Sequence, residues 1–144
     1  MEFGFSKEEE AFRQEVRGFL KKEVTREVIE EADSGLGWGP HTWKFVQKLG
    51  ARQLLTPTWP KEYGGLGLPP MYRFILHEEI DYTGALKPEA LMVGANVSGP
   101  TIILYGSEKQ KKEYLPRIAR GEIEFSGLHG AASRLGSGQP ADTG

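Results

Sequence analysis

The sequence opens with a helix start signal followed by apolar residues at helical spacing. Ser6 precedes Glu9 by three residues, the S-x-x-E pattern in which each side chain accepts a hydrogen bond from the other residue's backbone amide. Charged residues then separate apolar residues at positions i, i+4, i+7 and i+8, which are Phe12, Val16, Phe19 and Leu20. We predict an amphipathic helix from Lys7 to about Glu23.

Similar signals continue along the first two-thirds of the chain. Thr25 is predicted to cap a short second helix, and Pro40 suits the first turn of a third, after a glycine-containing loop over 33–39. The third helix is predicted to carry Trp43, Val46 and Gln47 on one face. Seven prolines and glycines between positions 54 and 70 exclude a long helix there. A fourth helix, ending at 82–84, is predicted from an apolar stripe of Met71, Phe74, Ile75 and Ile80.

The last third of the chain predicts further helices. One begins near Pro88, is broken by Gly99 and Pro100, and is followed by a short helix over 101–105. Ser107 and Gln110 form a second capping box, and that helix is predicted to end at Pro116, with one more turn closed by Gly121. Residues 123–126 allow the start of a strand. The predicted fold class is therefore an all-α helical bundle.

Composition excludes several classes of function. The chain has 144 residues, no cysteine, three histidines and a net charge of −2. Thiolate metal sites and cysteine nucleophiles are excluded, and a nucleic-acid binder is not expected at this charge. Neither a membrane span nor a targeting peptide is expected, because no long apolar run occurs and the first twenty residues are rich in glutamate. The expected location is the cytoplasm.

Four local strings point to a family. They are WPKEYGGLGL at 59–68, EEI at 78–80, YGSEKQK at 105–111 and YLPRIARGE at 114–122, preceded by FSKEE at 5–9. In this order and spacing, residues 3–126 resemble the N-terminal helical domain of the acyl-CoA dehydrogenase family.

The resemblance implies a FAD-dependent oxidoreductase of fatty acid metabolism that α,β-dehydrogenates acyl-CoA thioesters. It also implies a homo- or hetero-oligomer that passes electrons to an electron-transfer flavoprotein. In the family, the catalytic base and most of the flavin site lie in a middle β domain and a C-terminal helical domain. We therefore assign no catalytic, cofactor-binding or metal-binding residue here. The chain is expected to be a fragment that is inactive alone and that exposes an apolar face.

The helix before the YGSEKQK string flanks the acyl chain in this family. Small side chains recur there at i, i+3, i+4 and i+7 and predict a substrate-binding face of Ala90, Val93, Gly94 and Val97. Ordinary helix packing explains the same pattern equally well. Glu89 and Asn96 depart from an apolar lining and leave the acyl class open.

The composition changes at Gly127, which divides the chain into a helical domain over 1–126 and a flexible, glycine-rich tail over 127–144. The family continues here with a pattern like G-Y-[ST]-E-P-x-A-G-S-D-L-A-S-L-x-T-R. Permitted codons for the tail reproduce that pattern when one base is skipped. We therefore interpret the tail as translated out of frame; a genuine glycine-rich linker is the alternative.

Two charged clusters have alternative interpretations. The run from His77 to Asp81 lacks the second histidine of a zinc motif and the E-x-x-H of a di-iron bundle, so a salt-bridged helix face is favoured. A basic cluster either contacts coenzyme A phosphates or, as we favour, forms a solvated face; its members are Lys109, Lys111, Lys112, Arg117 and Arg120.

For the whole chain, the alternative to an enzyme fragment is a noncatalytic helical binding module or an accessory subunit of a longer flavoprotein.

Overall fold

The computed structural model describes residues 4–34, 39–85 and 94–122, and within these ranges all regular structure is helical. The α-helices there are α1 (Lys7–Glu23), α2 (Arg26–Asp33), α3 (Pro40–Ala51), α4 (Pro70–Thr83), α5 (Gly99–Tyr105) and α6 (Glu108–Ala119). A 3₁₀ turn over Lys61–Tyr63 lies between α3 and α4, and a π turn over Gly94–Ser98 leads directly into α5. The predicted all-α class is confirmed.

Both predicted capping boxes form. The Ser6 hydroxyl accepts a hydrogen bond from the Glu9 amide at 3.1 Å, and the Glu9 carboxylate accepts one from the Ser6 amide at 2.9 Å. Ser107 and Gln110 repeat the arrangement at the start of α6, with distances of 3.2 and 2.9 Å. Each box pairs amides that the first turn of a helix leaves without a partner, so local sequence alone sets these two helix starts.

Other helix ends also follow their sequence signals. The Thr25 hydroxyl accepts a hydrogen bond from the Val28 amide at 3.4 Å, and Pro40 is the first residue of α3. Gly84 ends α4 with a φ of 80°, and Gly121 follows α6 with a φ of 72°. These left-handed conformations favour glycine, which lacks the Cβ that makes them costly for other residues.

The core lies between paired helices. The pairs with extensive contact are α1 with α4, α2 with α3, and α5 with α6. Loop residues before the 3₁₀ turn also enter the core, since Leu54 and Leu55 are buried. The largest side chains with under 2% exposure include Phe45, Leu20, Leu49, Ile75, Leu76, Ile80 and Leu115.

Two predicted apolar faces are wrong in part. In α4, Met71 and Phe74 are 44% and 57% exposed, while the buried side carries Ile75, Leu76, Glu79 and Ile80. The helix is apolar on more than one side, and α1 covers only one of them, so spacing alone selected the wrong stripe. In α3, Gln47 is exposed and Trp43 is half-buried, whereas Val46 is buried as predicted.

Two predicted proline breaks do not occur. Pro116 lies inside α6, which continues to Ala119, although a proline there removes one backbone donor. Leu115 and Ile118, on either side of Pro116, are buried, and their packing offsets the lost hydrogen bond. Gly99 and Pro100 do not interrupt the helical backbone over 94–105 either. The π turn passes directly into α5, and Ser98, where they meet, has helical backbone angles.

Several predictions fall outside the described residues. They concern part of the loop over 33–39, the helix start near Pro88, the start of a strand at 123–126, and the tail over 127–144.

Candidate functional site

Trp59 joins two parts of the chain that lie 36 residues apart. Its side chain is 4% exposed, and its indole N–H donates a hydrogen bond to the Ala95 carbonyl at 2.9 Å. Its own carbonyl accepts a hydrogen bond from the Gly67 amide at 2.8 Å. The ring lies against Gly99, where an added Cβ would come within 2.0 Å of Cζ2. Trp59 is therefore held both through its backbone and through its ring.

The segment that Trp59 supports carries an exposed apolar surface. Residues 94–107 contain no charged residue. Val97, Leu104 and Tyr105 are 60%, 72% and 83% exposed, and Thr101 between them is also exposed. These four residues recur at i, i+4, i+7 and i+8, and we call them the outer face. Ile102 and Ile103 pack instead toward the core, so this short segment is apolar on both sides.

The Thr101 hydroxyl does not add a free polar group to the outer face. It donates a hydrogen bond to the Val97 carbonyl at 2.8 Å, one turn earlier. With that donor used, the surface offers mainly aliphatic and aromatic groups, together with the phenol of Tyr105. Such a surface suits an apolar ligand or an apolar protein surface.

The predicted substrate-binding residues divide into two groups. Ala90 and Val93 lie outside the described residues. Gly94 is buried and Val97 is largely exposed, both in the π turn. The shared face of the four was predicted from α-helical spacing. A π turn closes hydrogen bonds over one more residue, which changes the rotation between Gly94 and Val97. The role of the four residues in binding a substrate stays a prediction.

The run from His77 to Asp81 contributes the buried carboxylate of an ion pair whose arginine is about half exposed. Glu79 is 4% exposed and accepts two hydrogen bonds from Arg17 of α1, at 2.8 and 2.9 Å. Arg13 lies 3.9 Å from the same carboxylate. These contacts between the two arginines and Glu79 join α1 to α4, in agreement with the salt-bridged helix face that we favoured. Among residues 4–34, 39–85 and 94–122, no three histidine or carboxylate side chains lie close enough to hold a metal ion.

The basic cluster on α6 is largely paired or solvated. Lys111 lies 3.6 Å from Glu108 and 6.0 Å from the centre of the Tyr63 ring. Arg120 donates to Glu122 at 2.7 Å, and this guanidinium lowers the pKa of the Glu122 carboxyl below its ordinary value. Lys109 and Lys112 are exposed.

Glu31 of α2 caps the start of α3, which has only a glycine at its own N-cap. Its carboxylate accepts hydrogen bonds from the amides of His41 at 3.0 Å and Thr42 at 2.7 Å. Partial desolvation opposes ionisation, but these amides outweigh it and hold the pKa of Glu31 below its ordinary value. This contact fixes α2 against α3.

In the sequence analysis, Trp59 and Tyr105 stand out only as members of the family strings, and Leu104 is not singled out. The sequence does carry a signal for the outer face, because the uncharged run over 94–107 is longer than one buried helix face requires. The contact between Trp59 and Ala95 had none, because it depends on how distant segments pack.

No helix in the described part of the chain is long and apolar enough to cross a bilayer.

Comparison with known proteins places the chain. The family described as "Acyl-CoA dehydrogenase, N-terminal domain" matches residues 6–122. Acyl-CoA dehydrogenase FadE26 of Mycobacterium tuberculosis is 33% identical over 129 residues, which is 88% of this chain and 32% of that protein. A short-chain-specific acyl-CoA dehydrogenase of Clostridium acetobutylicum is 30% identical over 85% of this chain and 31% of that protein.

Solved structures agree with this placement. The ChsE4-ChsE5 complex from Mycobacterium tuberculosis contains a chain with a TM-score of 0.73 and 32% identity, over 88% of this chain and 31% of that one. A structure titled "Tcur3481-Tcur3483 steroid ACAD" gives a TM-score of 0.70 and 33% identity, over 85% of this chain and 31% of that one. The chain thus spans about a third of the length of the relatives it matches, and within that span it belongs to the acyl-CoA dehydrogenase family, as the N-terminal helical domain.

Proposed function

We propose that this chain supplies one wall of an acyl-binding site in an enzyme that dehydrogenates acyl-CoA thioesters. The wall is proposed to comprise the predicted residues Ala90, Val93, Gly94 and Val97. Of the two that the structure describes, Val97 is exposed on the outer face, whereas Gly94 is buried behind it. The observation that carries the proposal is the uncharged run over 94–107, whose outer face is exposed in a domain of this family. Each methylene of an acyl chain that is removed from water by such a surface contributes about 0.8 kcal/mol.

Calorimetric titration of the purified chain tests the acyl contact. We expect octanoyl-CoA to bind and coenzyme A alone to bind at least about tenfold more weakly, a difference of about 1.4 kcal/mol that two buried methylenes would supply. Val97→Asp should abolish the preference, because a carboxylate would face the acyl chain. Tyr82→Asp is the matched control, since Tyr82 is 79% exposed on α4 and outside the wall. Equal binding of both ligands by the unaltered chain would refute the proposal.

The family implies FAD, which in the complete enzyme accepts the hydride. The described residues do not fit a flavin site of their own. A groove of about 530 Å³ between α1 and α4 is lined by Arg13, Arg17 and Lys21 as well as by Glu78 and Glu79. Arg17 and Arg13 are already paired with the Glu79 carboxylate, so these two cations are engaged within the domain and do not form a site for the pyrophosphate of FAD. We therefore assign the cofactor to parts of the enzyme beyond this domain. The chain with added FAD should not reduce an electron acceptor with octanoyl-CoA, and saturable, chain-dependent reduction would contradict this assignment.

The acyl group of the native substrate is a separate question. One of the similar structures is titled a steroid ACAD, which favours a bulky ring-bearing acyl group as a second candidate beside a straight chain. Competition between octanoyl-CoA and the CoA thioester of a steroid carboxylic acid decides between them. Tighter binding of the steroid thioester supports the ring-bearing class.

A second candidate function is that of an accessory subunit in a larger assembly. The ChsE4-ChsE5 title names a complex of two components, and the outer face would suit an apolar protein surface. Stable co-purification of this chain with a longer flavoprotein of the same family, lost in Leu104→Asp, would favour that function. The use of an electron-transfer flavoprotein and a cytoplasmic location stay predictions from the family and the sequence.

The tail over 127–144 is proposed to be read out of frame, with the helical domain over 1–126 in frame. Support comes from the match between its shifted codons and the continuation expected in this family. Sequencing the nucleotides from codon 120 onward tests this directly. One added or missing base that restores Gly-Tyr-Thr-Glu-Pro supports the proposal, whereas an unbroken frame would make the tail a genuine glycine-rich segment.

A further inference from the structure

The Ala95 carbonyl cannot form the hydrogen bond that is typical of a π turn. Ala95 is 5% exposed and lies in the π turn, where a carbonyl pairs with the amide five residues later. The residue five positions after Ala95 is Pro100, which has no N–H. Buried carbonyls are rarely left unpaired, and a donor from elsewhere in the fold can take the place of the N–H that Pro100 lacks.

Trp59 supplies that donor. Its indole N–H lies 2.9 Å from the Ala95 oxygen, in a contact that is fully buried. The ring has little freedom to leave, because Gly99 lies against its edge and the Trp59 carbonyl is bonded to the Gly67 amide. Gly99 has no side chain and so leaves room for the Trp59 ring. Pro100 has no N–H and so does not compete with the indole N–H for the Ala95 carbonyl.

We propose that Trp59 is a positioning residue for the acyl wall, acting through the π turn. This inference rests on the proposed function. The indole N–H holds the turn in place and so sets the rotation of Val97 relative to Thr101 and Leu104 on the outer face. Shifting an α-helical register by one residue rotates a side chain by about 100°. If the turn relaxed toward an α-helix, Val97 would leave that face and the shape of the wall would change.

The test compares the affinities of the full chain for two ligands, octanoyl-CoA and the CoA thioester of a steroid carboxylic acid. Trp59→Phe keeps an aromatic ring and removes the N–H. We expect the ratio of the two affinities to change at least about threefold, because the wall changes shape. Trp43→Phe removes an indole from α3 and should leave the ratio unchanged. A merely structural role for Trp59 would weaken both affinities by the same factor.

A rescue variant makes the test specific and guards against poor folding of Trp59→Phe. Pro100→Ala restores an N–H five residues after Ala95, in the position that a π turn requires. The double variant Trp59→Phe/Pro100→Ala should therefore recover the wild-type ratio. An unchanged ratio in Trp59→Phe, or no recovery in the double variant, would overturn the positioning role. A wild-type chain that binds neither thioester would instead overturn the proposed acyl contact.

Discussion

Replacing Gly99 by alanine tests whether the ring of Trp59 really lies against the backbone of α5. An added Cβ at position 99 would lie 2.0 Å from Cζ2 and 2.4 Å from Cη2 of that ring. Carbon atoms pack favourably at about 3.5–4.0 Å, so the ring or the helix must move by more than about 1 Å. The ring is buried and hydrogen-bonded, and a small shift of either partner would strain the bond to Ala95.

Three contributions set the expected change in the free energy of unfolding of Gly99→Ala. Overpacking a buried site costs about 1–3 kcal/mol. Weakening the buried hydrogen bond adds about 1 kcal/mol, and the better helix propensity of alanine returns about 0.5–1 kcal/mol. Gly99→Ala should therefore lower the free energy of unfolding by about 1–3 kcal/mol. At about 2–4 °C per kcal/mol, the melting temperature should fall by roughly 2–12 °C.

Gly18→Ala is the matched control, because Gly18 lies inside α1 with no atom within 4 Å of an added Cβ. It should raise the free energy of unfolding by about 0.5–1 kcal/mol. Urea unfolding followed by circular dichroism at 222 nm measures both variants. The reasoning is refuted if Gly99→Ala is as stable as the wild type, or if its cost persists unchanged when Trp59 is replaced by leucine.

Four further changes have defined outcomes. Leu115→Ala empties a fully buried site and should cost about 3 kcal/mol in urea unfolding. Ser107→Ala removes a capping box and should cost about 1 kcal/mol in the same assay. Leu104→Asp should reduce self-association in sedimentation velocity without lowering the melting temperature, since Leu104 is 72% exposed. Because the folded-state pKa of Glu31 is lowered, its contribution to stability is present above the ordinary carboxyl pKa and is lost as pH falls through the lowered value. Glu31→Gln should therefore flatten that part of a curve of unfolding free energy against pH.

The features that sequence predicted well are local ones. The bounds of α1 follow from Ser6, Glu9 and the charges around its apolar residues, all within a few turns. Gly84 and Gly121 mark helix ends because their conformations are set by nearest neighbours. These signals need no knowledge of how the helices pack, so one sequence suffices to find them.

The features that sequence missed depend on distant contacts. The continuation of α6 through Pro116 requires burial of Leu115 and Ile118, which proline rules do not include. The ion pair between Arg17 and Glu79 spans 62 positions, and the bond from Trp59 to Ala95 spans 36. The π turn has no purely local signal in the sequence, because the indole that donates to its Ala95 carbonyl comes from a residue 36 positions earlier. The candidate site was therefore located by family resemblance, while its supporting contacts needed the structure.

The most direct test of the acyl wall is a residue-resolved NMR titration of the ¹⁵N-labelled chain with octanoyl-CoA. The account predicts saturable shifts of amide signals over 94–105 and of the Trp59 indole N–H, with the amides of α2 unmoved. Coenzyme A alone should not reproduce the shifts. Saturable shifts confined to α1 and α2, or no shifts over 94–105 at saturating ligand, would contradict the claim that this domain contacts the acyl group.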